Sequence, residues 1–290
     1  MGYRRLAYDG GSIEYVVGGP EDARDLLIFH NGTPCAAVLD RPLVAAAGAA
    51  GLRTVSYSRG GYAGSTRRPG RVIADEAAIT AALADRLGYH RFFVAGYSGG
   101  GPVALACAAL LPDRVRACLS LAGLAPWAEV GDEFLEWVDD PADWRQLATG
   151  DEAILVPDFE PAAASFSRLT WPDAVAKYGA LPTDRAALLA PDGIGRALAS
   201  AMRRATKRSF WGWLDDNVAE ARDWGFRVGD IRVPVVLWHG EVDQLVDVRQ
   251  GKWLAKALPA ARAVFVPEAG HIAITYPYAA WIGSLVEAAG

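Results

Sequence analysis

"FFVAGYSGGGPVALACAALL" occupies residues 92–111. An apolar run of strand type gives way, across Gly96 to Gly101, to an almost wholly apolar stretch of helical type. A strand ending near Gly96 and a helix starting just past Ser98 leave no room for a loop. Ser98 is therefore predicted on a sharp strand-to-helix turn. Such a turn strains the backbone of the serine, presents its hydroxyl, and needs small residues two positions before and after it, where Gly96 and Gly100 stand. The helix start also offers unpaired amides and the positive end of the helix dipole to developing negative charge. No GxGxxG follows the strand and no GK[ST] follows the loop, so neither dinucleotide nor nucleotide phosphate binding is supported.

Outward from this turn, short β-rich runs alternate with helical patterns: "SIEYVVGG", "LLIFHNG", "LRTVSYS", "RFFVAGYS", "VRACLSLAG", then "VPVVLWHG" and "ARAVFVPEAG". Apolar runs of four to eight residues bounded by turns read as buried parallel strands, with the helices as crossovers. The fold class is α/β, a mostly parallel central sheet flanked by helices. In 75–87, Ile79, Leu83 and Leu87 share one helical face, with Asp75 able to cap and Gly88 to stop the helix. Between about Pro126 and Gly229 the strand rhythm ceases and helix-like segments are broken by prolines. This predicts a core of 1–125 and 230–290 and an inserted helical unit at 126–229. Within the insertion, Leu198, Ala201, Met202 and Ala205 recur at helical spacing. The insertion also holds Trp127, Trp137, Trp144, Trp171, Trp211, Trp213 and Trp224, seven of the ten tryptophans.

A serine hydroxyl is a weak nucleophile and needs a base, usually a histidine oriented by a carboxylate. For this type of turn the chain order is serine, acid, histidine. Of His30, His90, His239 and His271, only His271, in "VFVPEAGHIAI", follows both the serine and a candidate acid. The acid is sought in "HGEVDQLV", where Asp243 is the candidate, Glu241 the alternative, and Asp247 a cap for the next helix. Oxyanion donors are expected from the amide of Gly99 and from the loop "FHNGTP", where Gly32 frees the backbone to turn the Thr33 amide inward and Pro34 cannot donate. His30 is assigned to holding that loop. Gly32, Tyr97, Trp127 and Trp211 are the candidate substrate contacts, and Cys35 is a candidate at the pocket border.

Together "HNGTP", "SRGGYAGS", "GYSGGGPVALACAAL", "HGEVDQLV" and "PEAGH" resemble the α/β-hydrolase superfamily, in particular its serine members with a helical cap, the proline iminopeptidase and esterase-like branch. The resemblance covers about 12–125 and 230–289. It implies a triad of Ser98, Asp243 and His271, oxyanion donors at Gly99 and Thr33, and a cap in the insertion. Serine at 98, where epoxide hydrolases and haloalkane dehalogenases of that superfamily carry aspartate, argues against both activities. The expected reaction is acyl transfer to water on an ester, lactone or amide of a moderately apolar small molecule. The same fold also hosts carbon-carbon bond cleavage, lyase and cyclase chemistry, and binding proteins or receptors without turnover. An aminopeptidase would need a carboxylate in the insertion to capture an amine, for which Glu133, Glu136 and Glu152 are candidates.

Composition bounds the partners. The 290 residues are 52% hydrophobic and 22% charged, with a formal net charge of -5. That balance suits a globular chain and gives no electrostatic footprint for nucleic acid or an acidic membrane. The N-terminus lacks an apolar signal region, and Cys35, Cys107 and Cys118 lack metal-ligand spacing. The expectation is a cytoplasmic protein with reduced thiols, no metal and no cofactor, acting on a small molecule. The sequence gives no oligomeric state.

Overall fold

The computed structural model describes residues 2–290. Eight strands, β1 (Tyr3–Tyr8), β2 (Gly11–Gly18), β3 (Asp25–His30), β4 (Leu52–Tyr57), β5 (Phe92–Tyr97), β6 (Val115–Leu121), β7 (Val235–Gly240) and β8 (Ala261–Val266), form one sheet in the order β1-β2-β4-β3-β5-β6-β7-β8. From β4 through β8 every pairing is parallel, whereas β1 and β2 pair antiparallel with each other and β2 pairs antiparallel with β4.

The inner parallel strands read as continuous apolar runs because both faces are covered, whereas β8, at the edge of the sheet, has no buried residue and so is not the buried strand expected from "ARAVFVPEAG". Along β3, Leu26 and Ile28 enter one hydrophobic layer while Leu27 and Phe29 enter the other. In β5, Phe92 and Val94 likewise alternate with Phe93, Ala95 and Tyr97. Helices α1 (Arg41–Ala49), α2 (Asp75–Arg86), α3 (Gly100–Leu110), α11 (Val248–Ala257) and α12 (Tyr278–Ala288) supply those layers. In α3 every residue from Gly100 to Ala108 is buried, which explains its lack of a polar face. Burial of Val103 and Leu105 alone is worth about 1.5–3 kcal/mol each.

Two further expectations need correction. "SIEYVVGG" is not a parallel strand; β2 belongs to an antiparallel edge, and its partner β1 has no counterpart among the strands read from the sequence. In "YRRLAY" four of six residues are exposed, so it carries no buried alternation to detect. Asp75 is the first residue of α2 rather than its cap; Ala74 holds the cap position, and the Asp75 carboxylate accepts from the Val72 amide at 2.9 Å.

Between β6 and β7 the chain is helical: α4 (Trp127–Val130), α5 (Pro141–Thr149), α6 (Glu152–Phe166), α7 (Trp171–Tyr178), α8 (Pro182–Leu189), α9 (Gly195–Thr206) and α10 (Trp211–Ala221). The stripe Leu198, Ala201, Met202 and Ala205 is the buried face of α9, as its spacing implies. Among the described residues no helix is long and apolar enough to cross a membrane.

The junction of β5 with α3 is the tightest point of the fold. A Cβ on Gly96 would strike the Gly100 carbonyl, and one on Gly100 would strike the His30 carbonyl. Both collisions are with backbone, which no rotamer change relieves. Gly96→Ala or Gly100→Ala should each lower unfolding free energy in urea by about 1–3 kcal/mol or more. Gly283→Ala, on α12 with nothing within 4 Å, should be neutral or gain up to about 1 kcal/mol.

Candidate functional site

At that junction Ser98 adopts φ +54°, in the left-handed region that a β-carbon disfavours. Such a conformation costs about 1–3 kcal/mol and persists only where the surroundings enforce it. Here the Ser98 amide donates to Leu121 O at the end of β6 (2.8 Å), and Ser98 O accepts from the Gly101 amide (2.7 Å). The side chain is left half-buried at the C-terminal edge of the parallel strands, where ligands of such sheets bind.

His271 lies past β8, on the same edge. Its Nδ1 is 2.8 Å from Asp243 Oδ2. A carboxylate only accepts, so the proton resides on Nδ1 and Nε2 keeps a free lone pair. Asp243 sits on the turn after β7 with its side chain fully buried. Burial opposes its charge, but electrostatic attraction to the His271 ring and hydrogen bonds from His239 and His271 hold its carboxyl well below the usual range. Its Oδ1 accepts from the Leu245 and Val246 amides, both at 2.9 Å. His239 Nε2 lies 2.8 Å from Val246 O, which fixes a proton there, and 3.4 Å from Asp243 Oδ2. The loop carrying His271 is clamped from two sides: Tyr97 Oη donates to His271 O at 3.3 Å, and Asp184 Oδ1, from α8, accepts from the Ile272 and Ala273 amides.

The loop after β3 faces Ser98 from the other side. Gly32 makes this approach feasible, since a Cβ there would stand 3.0 Å from Ser98 Cβ and 3.2 Å from Tyr97 O. Arg59, after β4, organises the loop: its guanidinium donates to Asn31 O (2.6 Å) and to Thr33 Oγ1 (3.1 Å). Its Nε donates to the Asp216 carboxylate at 3.0 Å, and Arg71 pairs with the same carboxylate. All three are buried. Burial works against the Asp216 charge, but the two guanidiniums overcome it and hold its carboxyl far below its ordinary value. Asp216 belongs to α10, so this cluster ties the helical segment to the loop beside Ser98. Among the described residues neither the Thr33 nor the Gly99 amide has a protein acceptor, and both are free for a ligand oxygen.

Ser98, Gly99, Gly32, Thr33, Tyr97 and His271 line one cavity of about 490 Å³. Leu124, Phe166, Leu198, Met202, Trp213 and Ile272 give it apolar walls, while Asn217, Glu220 and the exposed Lys177 add polar groups. No hydrogen bond joins Ser98 to His271 among the described residues; such contacts commonly tighten only when the reacting atom is seated.

The sequence profile of the alpha/beta hydrolase fold family matches residues 25–276. The chain belongs to this family. Among curated proteins none is significantly similar in sequence. Solved structures of similar fold include a hydrolase from Pseudomonas aeruginosa, at 20% identity and TM-score 0.71 over 99% of this chain and 98% of that one. An enol-lactonase from Burkholderia xenovorans, at 19% identity and TM-score 0.71, covers 98% of this chain and 99% of its own. An alpha/beta hydrolase fold protein from Nakamurella multipartita matches over 100% of both chains at 23% identity and TM-score 0.69.

Against this alpha/beta hydrolase architecture, several sequence candidates stand elsewhere. Trp127 and Trp211 do not line the cavity: Trp127 stacks on Phe134 at 6.2 Å, and the Trp211 ring lies 3.6 Å beneath the Arg67 guanidinium. Trp213 is the cavity tryptophan, packed against Phe159 and Phe166. Glu241 is exposed, and Asp247 caps α11 through the Arg249 amide. Glu133 and Glu136 are exposed, and Glu152 pairs with Arg67 at 2.6 Å; none borders the cavity. The His30 side chain is buried against Cys107 and Tyr57 rather than holding the loop, and burial, with Arg59 adding to it, depresses its pKa to about 3. Cys35 does line the cavity, yet burial pushes its thiol up to about 12, leaving it neutral. Glu220, Asp216 and Asp184 carry no motif that sequence reading could seize, and Arg59 stands in "SRGGYAGS" without its role being read there. The available signal was weak: acids four apart on α10, at 216 and 220, in a helix rich in tryptophan.

Removal of one partner from a buried ion cluster leaves uncompensated charge. Asp216→Leu should destabilise the fold by about 3–5 kcal/mol. Because Asp216 and Asp243 have depressed carboxyl pKa values in the folded state, their contribution is complete above about pH 4 and is lost progressively as the pH falls below it. Urea unfolding followed from about pH 7 to pH 3 should show a falling midpoint below about pH 4.

Proposed function

We propose that the chain is a serine hydrolase whose catalytic triad is Ser98, His271 and Asp243, with the amides of Thr33 and Gly99 as the oxyanion hole. The observation that carries this reading is the convergence on one cavity of a strained serine, a histidine hydrogen-bonded to a buried aspartate, and two unclaimed amides. His271 Nε2 takes the proton from Ser98 Oγ as it attacks a carbonyl carbon, and Asp243 stabilises the resulting imidazolium. The carbonyl electrons move onto oxygen, where the Thr33 and Gly99 amides are preorganised for them. Collapse expels the leaving group with the proton returned by His271, and water repeats the sequence on the acyl-enzyme.

The apolar walls favour a moderately apolar ester or lactone, in keeping with the enol-lactonase of similar fold. The core at 1–125 and 230–290 carries the chemistry in this reading, and the helices at 126–229 serve as a cap that shapes the substrate side of the cavity. Glu133, Glu136 and Glu152, named for amine capture, lie away from the cavity and lend an aminopeptidase no support.

Intact mass after treatment with a fluorophosphonate should show one adduct on the native chain and none on Ser98→Ala. On a cleaved ester, His271→Ala should lose about a millionfold in kcat and Asp243→Asn about ten-thousandfold. A native protein that takes no adduct would sink this reading in favour of a binding protein without turnover.

A further inference from the structure

Among the residues lining the cavity only Glu220 bears a carboxyl group. It lies on the last turn of α10 and is 6% exposed. Its Oε1 accepts from Thr33 Oγ1 at 2.7 Å, and a methyl group on Gly99 would collide with the same oxygen. One carboxyl thus abuts both residues whose amides are free for a ligand oxygen. Its Oε2 has no protein partner among the described residues and keeps some accessible surface, on a residue that lines the cavity.

The charges facing Glu220 are Asp216 one helical turn back, Arg59 after β4 and Arg71 before α2, with Glu76 of α2 3.6 Å behind Arg71. On the cavity side stand His271 with Asp243 behind it, the neutral thiol of Cys35, and Lys177 at the rim. Tyr62 donates to Asp216, not to Glu220. Two guanidiniums are therefore matched by two carboxylates, Asp216 and Glu76, before Glu220 is counted. A charge on Glu220 would be a third negative charge against two guanidiniums, placed where a reacting carbonyl oxygen gains negative charge.

We propose that Glu220 acts as a neutral carboxylic acid that donates a hydrogen bond from Oε2 to the substrate beside the Thr33 and Gly99 amides, so that its ionisation shuts the reaction down on the alkaline side. The proposal rests on Ser98 being the nucleophile. Burial first, and the Asp216 charge second, push the Glu220 carboxyl up to about 7, against the Thr33 hydrogen bond and the two arginines. The protonated form lends a third donor to the developing oxyanion; the ionised form repels it.

The test is the rate of fluorophosphonate labelling at Ser98 from about pH 6 to about pH 9, for the native chain and Glu220→Gln, which can donate but cannot ionise. The native rate should fall above about pH 7, approaching tenfold per pH unit, and the Glu220→Gln rate should not fall there. A native rate that holds level from about pH 7 to 9, or an equal fall in Glu220→Gln, overturns the proposal alone. No labelling at any pH overturns the nucleophile and the proposal together. Labelling that speeds up with ionisation, alongside cleavage of aminoacyl arylamides lost in Glu220→Gln, would mark an ammonium pocket and overturn the neutral acid. If Glu220→Gln fails to fold, infrared titration of the native chain decides. A protonated-carboxyl C=O band that disappears near pH 7 and shifts in Glu220→Asp supports the proposal, and its absence at about pH 6 overturns it.

Discussion

The carboxylate of Asp216, held between Arg59 and Arg71 out of contact with water, sets the geometry on which the cavity depends. Three segments distant in sequence meet there: the loop after β3, the loop after β4 and helix α10. Ion clusters of this kind recover little more than the cost of stripping water from their charges. Their worth is directional. A guanidinium that must satisfy Asn31 O, Thr33 Oγ1 and Asp216 at once has one orientation, and it fixes that of the loop facing Ser98. The close backbone approach of Gly61 to Gly212 lets α10 come near enough for this to happen.

A second constraint acts on His271. Asp243 orients the ring through Nδ1, while His239 and two backbone amides secure Asp243 in turn. The backbone of the histidine loop is held by Tyr97 from the serine turn and by Asp184 from the helical segment. Each group that orients the imidazole is thus itself oriented, which preorganisation requires. Asp184 and Asp216 give the helical segment one anchor on each side of the cavity.

How much of this was legible depended on whether the signal was local. The serine turn could be read from residues 92–111 because strand, glycines and buried helix are contiguous and each leaves its own pattern. Strands covered on both faces were equally plain as apolar runs. The edge strand β1 was not, since four of its six residues face solvent and no face is wholly apolar. Asp243 and His271 followed from chain order, whereas the supporting role of His239 depends on a turn whose path the sequence does not specify. On α10, Asp216 and Glu220 look like the wet face of an ordinary amphipathic helix. Only the tertiary arrangement shows that this face is buried, because its partners, Arg59 and Arg71, lie about 150 residues upstream. The tryptophans misled for the opposite reason: most pack neighbouring helices, and a large ring reports burial without saying against what.

Pinning α10 also determines where the molecule can yield. A rotation of the whole helical segment about the sheet would drag Asp216 off two guanidiniums, so that end behaves as a fixed hinge post. At the cavity rim α6 and α7 are joined instead by packing, with Phe166 against Ala174 and Val175 and the exposed Lys177 ammonium 5.3 Å over the Phe166 ring. Any movement at that rim would leave the Asp216 cluster, and the loop it holds beside Ser98, in place.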